Sequence, residues 1–407
     1  MPSALPLPPS AATLRADLAL WVARTLPAGA PILAAASGGG DSMALVLLLA
    51  PVAKAQGRAL AAVVVDHALR PGSDAAAAEA AELVSRLGAD AHVLRLDWAG
   101  GPRTAQVAAR EARYAALAAF ARRIGAPCLF LGHTADDQAE TVLLRQQAGS
   151  GPRGLAGMAA LAPCPVWPAG RDLWLARPLL GVRRAELRAL LRAAGAPWLE
   201  DPANALVRYA RVRARAALAA GGSEPLIALA ARHAIAAAAT DAQARAWLAT
   251  GELGEAEARL APPVPADPAH RRALAAVAAS YGGARREPAD AAVLRLAERL
   301  AKGFDGTLAG ARFRAGVTVR VSRDPGGLAG RRGGARPVAP LPLPPGDTVV
   351  WDRRLALTAP VAGFVAAPPR ASGDDAPEIA GPAGQAAAVE RRWLTADRVG
   401  RLLHRGA

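Results

Sequence analysis

Ser37-Gly38-Gly39-Gly40-Asp41-Ser42 stands between two apolar runs, of which the first predicts a strand at 31–36 and the second a helix at 42–55. Three consecutive glycines allow a sharp turn and let backbone N–H groups come close to an anion. The helix that follows points its unpaired amides and the positive end of its dipole into the same space. The segment therefore predicts a phosphate-binding turn, although a glycine-rich turn by itself can be only a tight connection.

Two common phosphate-binding motifs do not fit this turn. The mononucleotide P-loop requires a lysine, which the segment lacks, and the dinucleotide fingerprint requires a third, spaced glycine. The segment resembles instead the SGGxDS pyrophosphate loop of ATP pyrophosphatases, which adenylate a carbonyl oxygen and release pyrophosphate. The resemblance implies ATP as a substrate, bound by Ser37, Gly38, Gly39, Gly40, Asp41 and Ser42.

Composition limits the class of protein. The chain has 407 residues, a formal net charge of +15 and a pI near 11.3, and its length suggests roughly two or three domains. The charge favours a polyanionic partner. Only Lys54 and Lys302 are lysines, however, and a compositional bias toward arginine and alanine explains the charge equally well.

The sequence predicts a cytoplasmic protein without membrane spans. No apolar run of about 18 residues is free of charges. The proline-rich stretch at 1–10 is expected to be a flexible leader, since it lacks the pattern of a secretion signal. Cys128 and Cys164 are too few for a disulfide framework or a zinc ribbon, so a reducing compartment is expected.

Short β-rich runs alternate with longer helical runs from about residue 30 to 215. This alternation predicts an α/β fold, a doubly wound parallel sheet with helices on both faces. The resemblance of the loop at 37–42 implies that this fold is of the PP-loop ATPase type. Strands are predicted at 31–36, 59–66, 91–97 and 127–132, helices at 42–55, 74–88, 104–125, 135–147 and 183–194, and a hairpin at 165–180.

The pattern changes twice beyond this region. Residues 208–302 predict an all-helical segment, and later residues predict paired strands at 307–314 and 317–321, a strand at 347–358, and a terminal helix containing Arg391 and Arg392. Loose stretches at 324–346 and 366–384 predict loops. The predicted domains are 1–29 (leader and first helix), 30–215 (nucleotide-binding catalytic domain), 216–303 (all-α) and 304–407 (small and β-rich).

Polar residues follow several predicted strands, at 37–42, 65–70, 132–141 and 149–155. Ligands of open α/β sheets bind at the carboxyl ends of the strands, which makes these groups candidates for a site. Asp137 and Glu140 lie three residues apart on one helix face, close to His133. Clustered carboxylates repel each other unless a cation lies among them, although acidic residues also stabilise the first turn of a helix without any ligand.

From about Pro31 to Arg215 the chain resembles the tRNA(Ile)-lysidine synthetases, a family of pyrophosphate-loop ligases. Several motifs in the same order are much more specific than the loop alone. They are SGGGDS at 37–42, VDHALR at 65–70, AAREARY at 108–114, GHTADDQAETVLLR at 132–145, GSGPRGLAGM at 149–158, RPLL at 177–180, WLEDPAN at 198–204 and RVRAR at 211–215.

This resemblance implies a reaction and its partners. The enzyme would use Mg²⁺ and ATP to adenylate the wobble cytidine of the CAU anticodon in tRNA(Ile), and the ε-amine of L-lysine would then displace AMP. The loop would bind the triphosphate, with Asp41 near the reacting centre as a Mg²⁺ ligand. Residues beyond about 220 follow the family only in general plan, as a helical tRNA-docking domain and a further small domain.

By the same resemblance, His133, Asp137 and Glu140 would line the pocket for lysine and the activated base, and Arg211 or Arg215 would complete it. Two departures from the family pattern affect this assignment. A second histidine that often follows the first is Thr134 in this chain, and the usual R-N-x-I-R segment reads Arg-Val-Arg-Ala-Arg.

Other classes share the loop. A tRNA thiolation enzyme would need reactive cysteines or a cluster-binding C-x-x-C, which Cys128 and Cys164 do not provide. An amidating nucleotide or NAD synthetase would need an ammonia source, and a non-enzymatic nucleotide sensor would not need the acidic cluster. Arginines that could contact tRNA phosphates, or only form a solvated face, are Arg208, Arg211, Arg213, Arg320, Arg323, Arg331, Arg332, Arg353 and Arg354.

Overall fold

The computed structural model describes residues 11–69, 71–98, 106–200, 210–326, 339–367, 376–381 and 389–404. The chain divides into two compact units, Met1–Ala237 with Arg405–Ala407, and Ala238–His404. The leader expected at 1–10 and the centre of the loop expected at 324–346 lie outside the described residues. Among the described helices, none combines the length and the apolar character that a membrane span requires.

The first unit contains a mixed sheet. Its described strands are β1 Ile32–Ala35, β2 Leu60–Asp66, β3 Asp90–Arg95, β4 Cys128–Leu131, β5 Leu161–Pro163 and β6 Trp174–Ala176. They lie in the order β3-β2-β1-β4-β6-β5, in which the neighbours from β3 to β6 are parallel and β5 is antiparallel to β6. The predicted hairpin at 165–180 is therefore shifted, with its first strand at Leu161–Pro163.

Helices cover both faces of this sheet, because successive strand residues point to opposite sides. Ile32 and Ala34 of β1 pack in one core, and Leu33 between them packs in the other. The predicted doubly wound α/β fold is confirmed. The described helices are α1 Ala11–Thr25, α2 Gly40–Ala55, α3 Ser73–Arg86, α4 Gln106–Arg123, α5 Ala135–Gln147, α6 Pro152–Leu155, α7 Arg184–Ala193, α8 Ala210–Gly221 and α9 Glu224–Leu248.

The strand order reverses between β1 and β4, which are parallel neighbours with Leu33 opposite Leu129. In open α/β sheets the crevice at such a reversal, beyond the carboxyl ends of the strands, is the usual ligand site. β1 leads into the glycine-rich loop and α2, and β4 leads into His133 and α5. The fold therefore brings two of the predicted groups to one edge.

The second unit is built around strands and helices that follow α9. The described elements are β7 Glu252–Leu253, β8 Ala258–Leu260, α10 Pro268–Tyr281, α11 Asp290–Ala301, β9 Gly306–Leu308, β10 Ala311–Arg314, β11 Val319–Arg323, β12 Leu341–Leu343, β13 Thr348–Trp351, β14 Leu355–Thr358, β15 Phe364–Ala367, β16 Glu378–Ala380, β17 Glu390–Trp393 and α12 Thr395–Leu402. The described sheets have the orders β7-β8-β11-β10-β9, β12-β15-β16 and β13-β14-β17.

The prediction that 208–302 is all-helical is wrong for β7 and β8. These short strands form a hairpin, and β8 pairs with β11, so that Leu260 lies opposite Val319. The partner strand β11 lies more than fifty residues further along the chain, and pairing with it outweighs the helical propensity of this Ala- and Arg-rich stretch. Residues on both sides of the boundary predicted at 303/304 thus share one sheet, and the compact units divide between Ala237 and Ala238.

Two predicted strands contain turns. Residues 307–314 form β9 and β10 around Ala309, and 347–358 form β13 and β14 around Asp352 and Arg353; these turn residues have φ values of 53°, 45° and 57°. Left-handed backbone is uncommon for residues other than glycine, so the sequence carried little signal for either turn.

The predicted terminal helix containing Arg391 and Arg392 is also wrong. Both residues lie in β17, which pairs with β14, and the helix α12 begins at Thr395. The partner strand β14 decides the conformation, since a run of charged residues has no strand periodicity of its own.

Some arginines proposed for tRNA phosphates have internal partners. Arg323 and Arg354 are buried, and their Nε atoms donate to Oδ2 of Asp352 at 2.9 and 2.8 Å. A buried guanidinium requires such a carboxylate to offset its desolvation. Arg323 and Arg354 are therefore structural, whereas Arg208, Arg331 and Arg332 lie outside the described residues.

Candidate functional site

The glycine-rich loop is held in shape by its two serines. The backbone N–H of Ser37 donates to Oγ of Ser42 at 3.1 Å, and that hydroxyl donates to the carbonyl of Gly39 at 2.9 Å. Gly38 has a φ of +79°, a conformation that favours glycine. The loop is thus closed by its own side chains before any ligand contacts it.

The loop leads directly into the N-terminus of α2. Gly39 is the N-cap and its lack of a side chain means that no capping group covers the first helical amides. These amides and the positive end of the helix dipole form an anion site. Trp198 and Leu199 lie behind the loop, where Leu199 donates its N–H to the carbonyl of Gly38 at 2.8 Å.

The end of β4 touches the start of α2 at Gly132. A Cβ atom on Gly132 would lie 2.8 Å from the carbonyl oxygen of Asp41 and 3.0 Å from Cα of Ser42. Both are backbone atoms that cannot move aside independently. The absence of a side chain at Gly132 therefore sets how closely the two groups at the sheet edge approach.

We expect Gly132→Ala to lower ATP affinity by about tenfold or more, because the added methyl displaces the first turn of α2. Overpacking of this kind costs about 1–3 kcal/mol, so denaturant unfolding should show a stability loss of that order. Titration calorimetry with ATP measures the affinity. Gly400→Ala is the matched control, since a Cβ there meets no atom within 4 Å. Unchanged ATP affinity in Gly132→Ala would contradict this account of the close approach.

The acidic cluster begins as a helix cap. Thr134 is the N-cap of α5, its Oγ1 accepts from the N–H of Asp137, and Oδ2 of Asp137 accepts from the N–H of Thr134 at 2.9 Å. This is a capping box, which the sequence allowed as the alternative to a ligand site. The cap occupies only Oδ2, however, and leaves Oδ1 of Asp137 for another partner.

That partner is Arg184, at the start of α7. Its guanidinium donates through Nε to Asp41 at 2.8 Å, through Nη2 to Asp137 Oδ1 at 2.9 Å, and through Nη1 to Glu140 at 3.4 Å. Asp41 of the loop and the carboxylates of α5 thus converge on one cation. The predicted acidic residues and the phosphate loop face the same space.

Burial and Arg184 act in opposite directions on these carboxyls. Burial raises the pKa of Asp41, and Arg184 offsets only part of that effect. Burial would also raise the pKa of Asp137, but Arg184 and the N–H of Thr134 outweigh it and lower that pKa below its ordinary value. In the same pocket, Oδ1 of Asp41 and Oε2 of Glu140 are buried and make no hydrogen bond with a described residue. These oxygens are available to a ligand.

His133 lies at the base of this pocket. Burial, followed by the charge of Arg177, lowers its pKa from the ordinary 6.5 to about 4, and Arg211 and Arg113 act in the same direction. Its Nδ1 atom is buried and has no partner among the described residues. The ring is therefore neutral at physiological pH and has a free nitrogen for a hydrogen bond.

The lowered pKa of His133 predicts a pH-dependent stability. Between about pH 6.5 and 4 the unfolded chain binds a proton at His133 that the folded protein does not. The free energy of unfolding should therefore fall by up to about 3 kcal/mol as pH decreases through this window, and the full contribution is present above it. Urea unfolding of the wild type and of His133→Asn at pH 7.5 and 4.5 measures the difference. An identical loss in both proteins would contradict the shift.

The two arginines predicted to complete the pocket, Arg211 and Arg215, lie at separate positions. α8 packs against α5, and Nε of Arg215 donates to Glu140 Oε1 at 3.0 Å. Arg211 lies close enough to His133 to lower its pKa. Both arginines therefore lie beside the pocket, Arg215 at the carboxylate of Glu140 and Arg211 near the imidazole of His133.

Two other predicted groups have local partners. Asp66, at the end of β2, accepts from the N–H of Ala68 at 2.8 Å and so holds its own turn. The segment 149–155 contains α6, and Arg145 of α5 donates to the carbonyl of Gly154 at 2.7 Å. Arg70 of the 65–70 group is outside the described residues.

Sequence reasoning missed Arg184. One signal for it existed, since a cation at the first position of a helix opposes the helix dipole and so indicates a carboxylate partner nearby. The sequence could not show which carboxylate, because Arg184 and Asp41 are 143 residues apart. Arg177, which the sequence marks only as part of the RPLL motif at 177–180, is buried beside His133.

The residues of the pocket fit Mg²⁺ bound together with phosphates. The described residues contain no group of three or more His, Cys, Asp or Glu side chains arranged to hold a metal ion. Mg²⁺ in nucleotide sites commonly takes one or two carboxylates, with phosphate and water oxygens completing the shell. The unpartnered Oδ1 of Asp41, next to the anion site, is a suitable carboxylate oxygen.

Comparisons with known proteins agree with this geometry. A family described as a PP-loop domain matches residues 20–220. The chain is 43% identical to the tRNA(Ile)-lysidine synthase of Caulobacter vibrioides, over 81% of this chain and 74% of that protein. It is 38% identical to the synthase of Rhizobium meliloti, over 79% and 72% of the two chains, and 40% identical to that of Hyphomonas neptunium, over 70% and 79%.

The loop geometry and the domain match together define a PP-loop ATP-binding protein. The relatives define the class of protein more closely, because their sequence identity with this chain extends beyond the PP-loop domain to most of its length. The chain belongs to the tRNA(Ile)-lysidine synthase family, a family of ligases that form a carbon–nitrogen bond.

Proposed function

We propose that this protein joins L-lysine to carbon 2 of the wobble cytidine in the CAU anticodon of tRNA(Ile), at the expense of ATP. The observation that carries the proposal is the convergence of Asp41, Asp137 and Glu140 beside the anion site of the loop. A phosphate site and a cation site in one crevice suit a reaction between a nucleotide and a dibasic amino acid.

In the adenylation step, the loop amides and the Ser37 hydroxyl would hold the triphosphate in line with O2 of the cytidine, while the Ser42 hydroxyl keeps the loop closed. O2 attacks the α-phosphorus and pyrophosphate leaves. Asp41 would hold Mg²⁺ against the phosphates, and the bound ion would stabilise the negative charge that develops on them. Among the arginines that act on His133, Arg211 is exposed and would face the phosphates of the anticodon.

In the second step, Asp137 and Glu140 would bind an ammonium group of lysine and orient the ε-amine toward carbon 2. After the ε-ammonium has given its proton to solvent, the amine nitrogen bonds to carbon 2, and the C2–O2 bond breaks as AMP leaves with the former O2. Neutral His133 would hydrogen-bond the activated base through its free nitrogen. Arg215, already at Glu140, is placed to bind the lysine carboxylate.

A direct assay tests this proposal. Purified protein is mixed with Mg-ATP, labelled lysine and unmodified tRNA(Ile) bearing the CAU anticodon, and label in the RNA is counted. A methionine tRNA with the same anticodon is the control. Incorporation into tRNA(Ile) alone is the expected result, and no incorporation, or equal incorporation into both, would refute the proposed function.

The cysteines argue against tRNA thiolation. Cys128 lies in β4, and burial raises the pKa of its thiol to about 12. Such a thiol is not a nucleophile at physiological pH. Cys164 is also buried.

For tRNA docking, the second unit offers exposed arginines. A cavity of about 560 Å³ is lined by Arg295, Arg299 and Arg312, with Asp305 as the acidic residue among its lining groups. The exposed ring of Phe304 lies beside it, under the guanidinium of Arg299 at 6.0 Å. Arginines next to an exposed aromatic ring suit phosphates and an unstacked base.

We therefore expect tRNA binding to weaken steeply with salt. With about six or more phosphate contacts, the affinity should fall by about a thousandfold between roughly 50 and 200 mM salt. Fluorescence anisotropy of labelled tRNA measures the slope, and Arg295→Ala should reduce it by about one contact. Affinity that is flat over this range would contradict an electrostatic docking surface.

A further inference from the structure

Arg184 occupies the centre of the proposed lysine pocket. Its side chain is 16% exposed, and those of its partners Asp41, Asp137 and Glu140 are 21%, 11% and 1% exposed. The guanidinium donates to all of these carboxylates at once. These contacts give the acidic cluster a cation that is part of the chain itself.

This arrangement conflicts with simultaneous binding of lysine. Oε2 of Glu140 has no partner among the described residues, but an ammonium group bound by both Asp137 and Glu140 would also need Oδ1 of Asp137, to which Nη2 of Arg184 now donates. Two cations at one partly buried position repel each other, since the low local dielectric screens them poorly. Lysine can therefore bind only when the Arg184 guanidinium leaves these carboxylates.

The backbone at Arg184 is fixed, so its side chain is the part that moves. The backbone N–H of Arg184 donates to Asp136 at 2.7 Å, and Arg183 forms an ion pair with the same carboxylate at 3.0 Å. The guanidinium already contacts Asp41, the residue that follows the glycines of the loop. Phosphate oxygens bound there would offer it the bidentate geometry that arginine prefers.

We propose that Arg184 is an internal competitor of lysine, which keeps the pocket closed to the amino acid until ATP phosphates draw its guanidinium away. ATP then binds before lysine, and Arg184 becomes a phosphate ligand during adenylation. The inference rests on the proposed function, since it assumes that the carboxylates receive lysine.

Lysine binding to the full-length protein tests the competition without catalysis. Titration calorimetry is run without tRNA, with and without Mg²⁺ and an ATP analogue that cannot be cleaved between the α- and β-phosphates. In the wild type, the analogue should tighten lysine binding by about tenfold or more, as expected if roughly a tenth or less of the pocket is open without it. In Arg184→Ala, lysine should bind tightly without the analogue, and the analogue should change its affinity by less than about twofold.

Two variants separate competition from general electrostatics. Arg184→Lys keeps the charge but loses the planar fork, so it should fall between the wild type and Arg184→Ala in the effect of the analogue. Arg192→Ala removes an exposed arginine from the same helix and should keep the wild-type response. Melting curves of each protein with and without lysine check folding, and lysine should raise the melting temperature of Arg184→Ala more than that of the wild type.

The outcomes distinguish this inference from the proposed function. If the wild type incorporates lysine into tRNA(Ile) but Arg184→Ala gains no lysine affinity, or keeps the full effect of the analogue, the competitor role is refuted while the proposed function stands. If Arg192→Ala matches Arg184→Ala, the effect is one of net charge and the inference also fails. If the wild type incorporates no lysine, the proposed function itself fails.

Discussion

Asp41→Asn is expected to abolish lysidine formation while leaving tRNA affinity nearly unchanged. Asparagine keeps the size of the side chain and its place in the first turn of α2, but removes the charge that would hold Mg²⁺ against the triphosphate. Metal-ion stabilisation of developing charge is worth several kcal/mol, so the rate should fall by about a thousandfold or more. Single-turnover incorporation of labelled lysine measures the rate, and filter binding measures tRNA affinity.

A matched carboxylate provides the control for Asp41. Asp74 lies in the first turn of α3, in the same unit, and is exposed. Asp74→Asn should therefore react at the wild-type rate. Wild-type rates in Asp41→Asn would remove that residue from the reacting centre, and a parallel loss of tRNA binding would assign it a structural role instead.

Asp137→Ala is expected to raise the KM for lysine by about a hundredfold and the KM for ATP much less. The side chain contributes one charged oxygen to the pocket, and a charge-assisted hydrogen bond of about 3 kcal/mol corresponds to roughly that factor. Initial rates measured while lysine and ATP are varied separately give both values. A larger effect on ATP would place Asp137 on the nucleotide side.

Asp137 also caps α5, so a second variant separates the two roles. Asparagine at this position can still accept the N–H of Thr134 through its amide oxygen but has no charge. Asp137→Asn should retain most of the stability and show the same rise in KM for lysine. If only Asp137→Ala were impaired, the capping box and not the charge would explain the defect.

Most of the first unit could be predicted from local signals. Short apolar, β-rich runs placed β1, β2 and β4 within one or two residues of their observed ends, and helix α5 at 135–147 matches the structure. These elements are buried on one or both faces, which makes the pattern strong. The short edge strand β5 was misplaced because it has little burial to create such a pattern.

The second unit was harder to predict because its elements depend on partners distant in sequence. β8 pairs with β11, and β17, with two adjacent arginines, pairs with β14. The turns at Ala309 and Asp352 adopt left-handed backbone without glycine at those positions. The composition of these segments carries no clear signal of such long-range strand pairing or of such turns.

The amino-acid sequence by itself determined the phosphate loop, the positions of β1, β2 and β4, and the acidic residues of α5, because each depends on neighbours within a few residues. The tertiary structure alone decided that Arg184 lies among Asp41, Asp137 and Glu140, and that Gly132 touches the first turn of α2. An ion pair between distant residues depends on how whole elements pack, and the energy of that packing is spread over the core of the first unit.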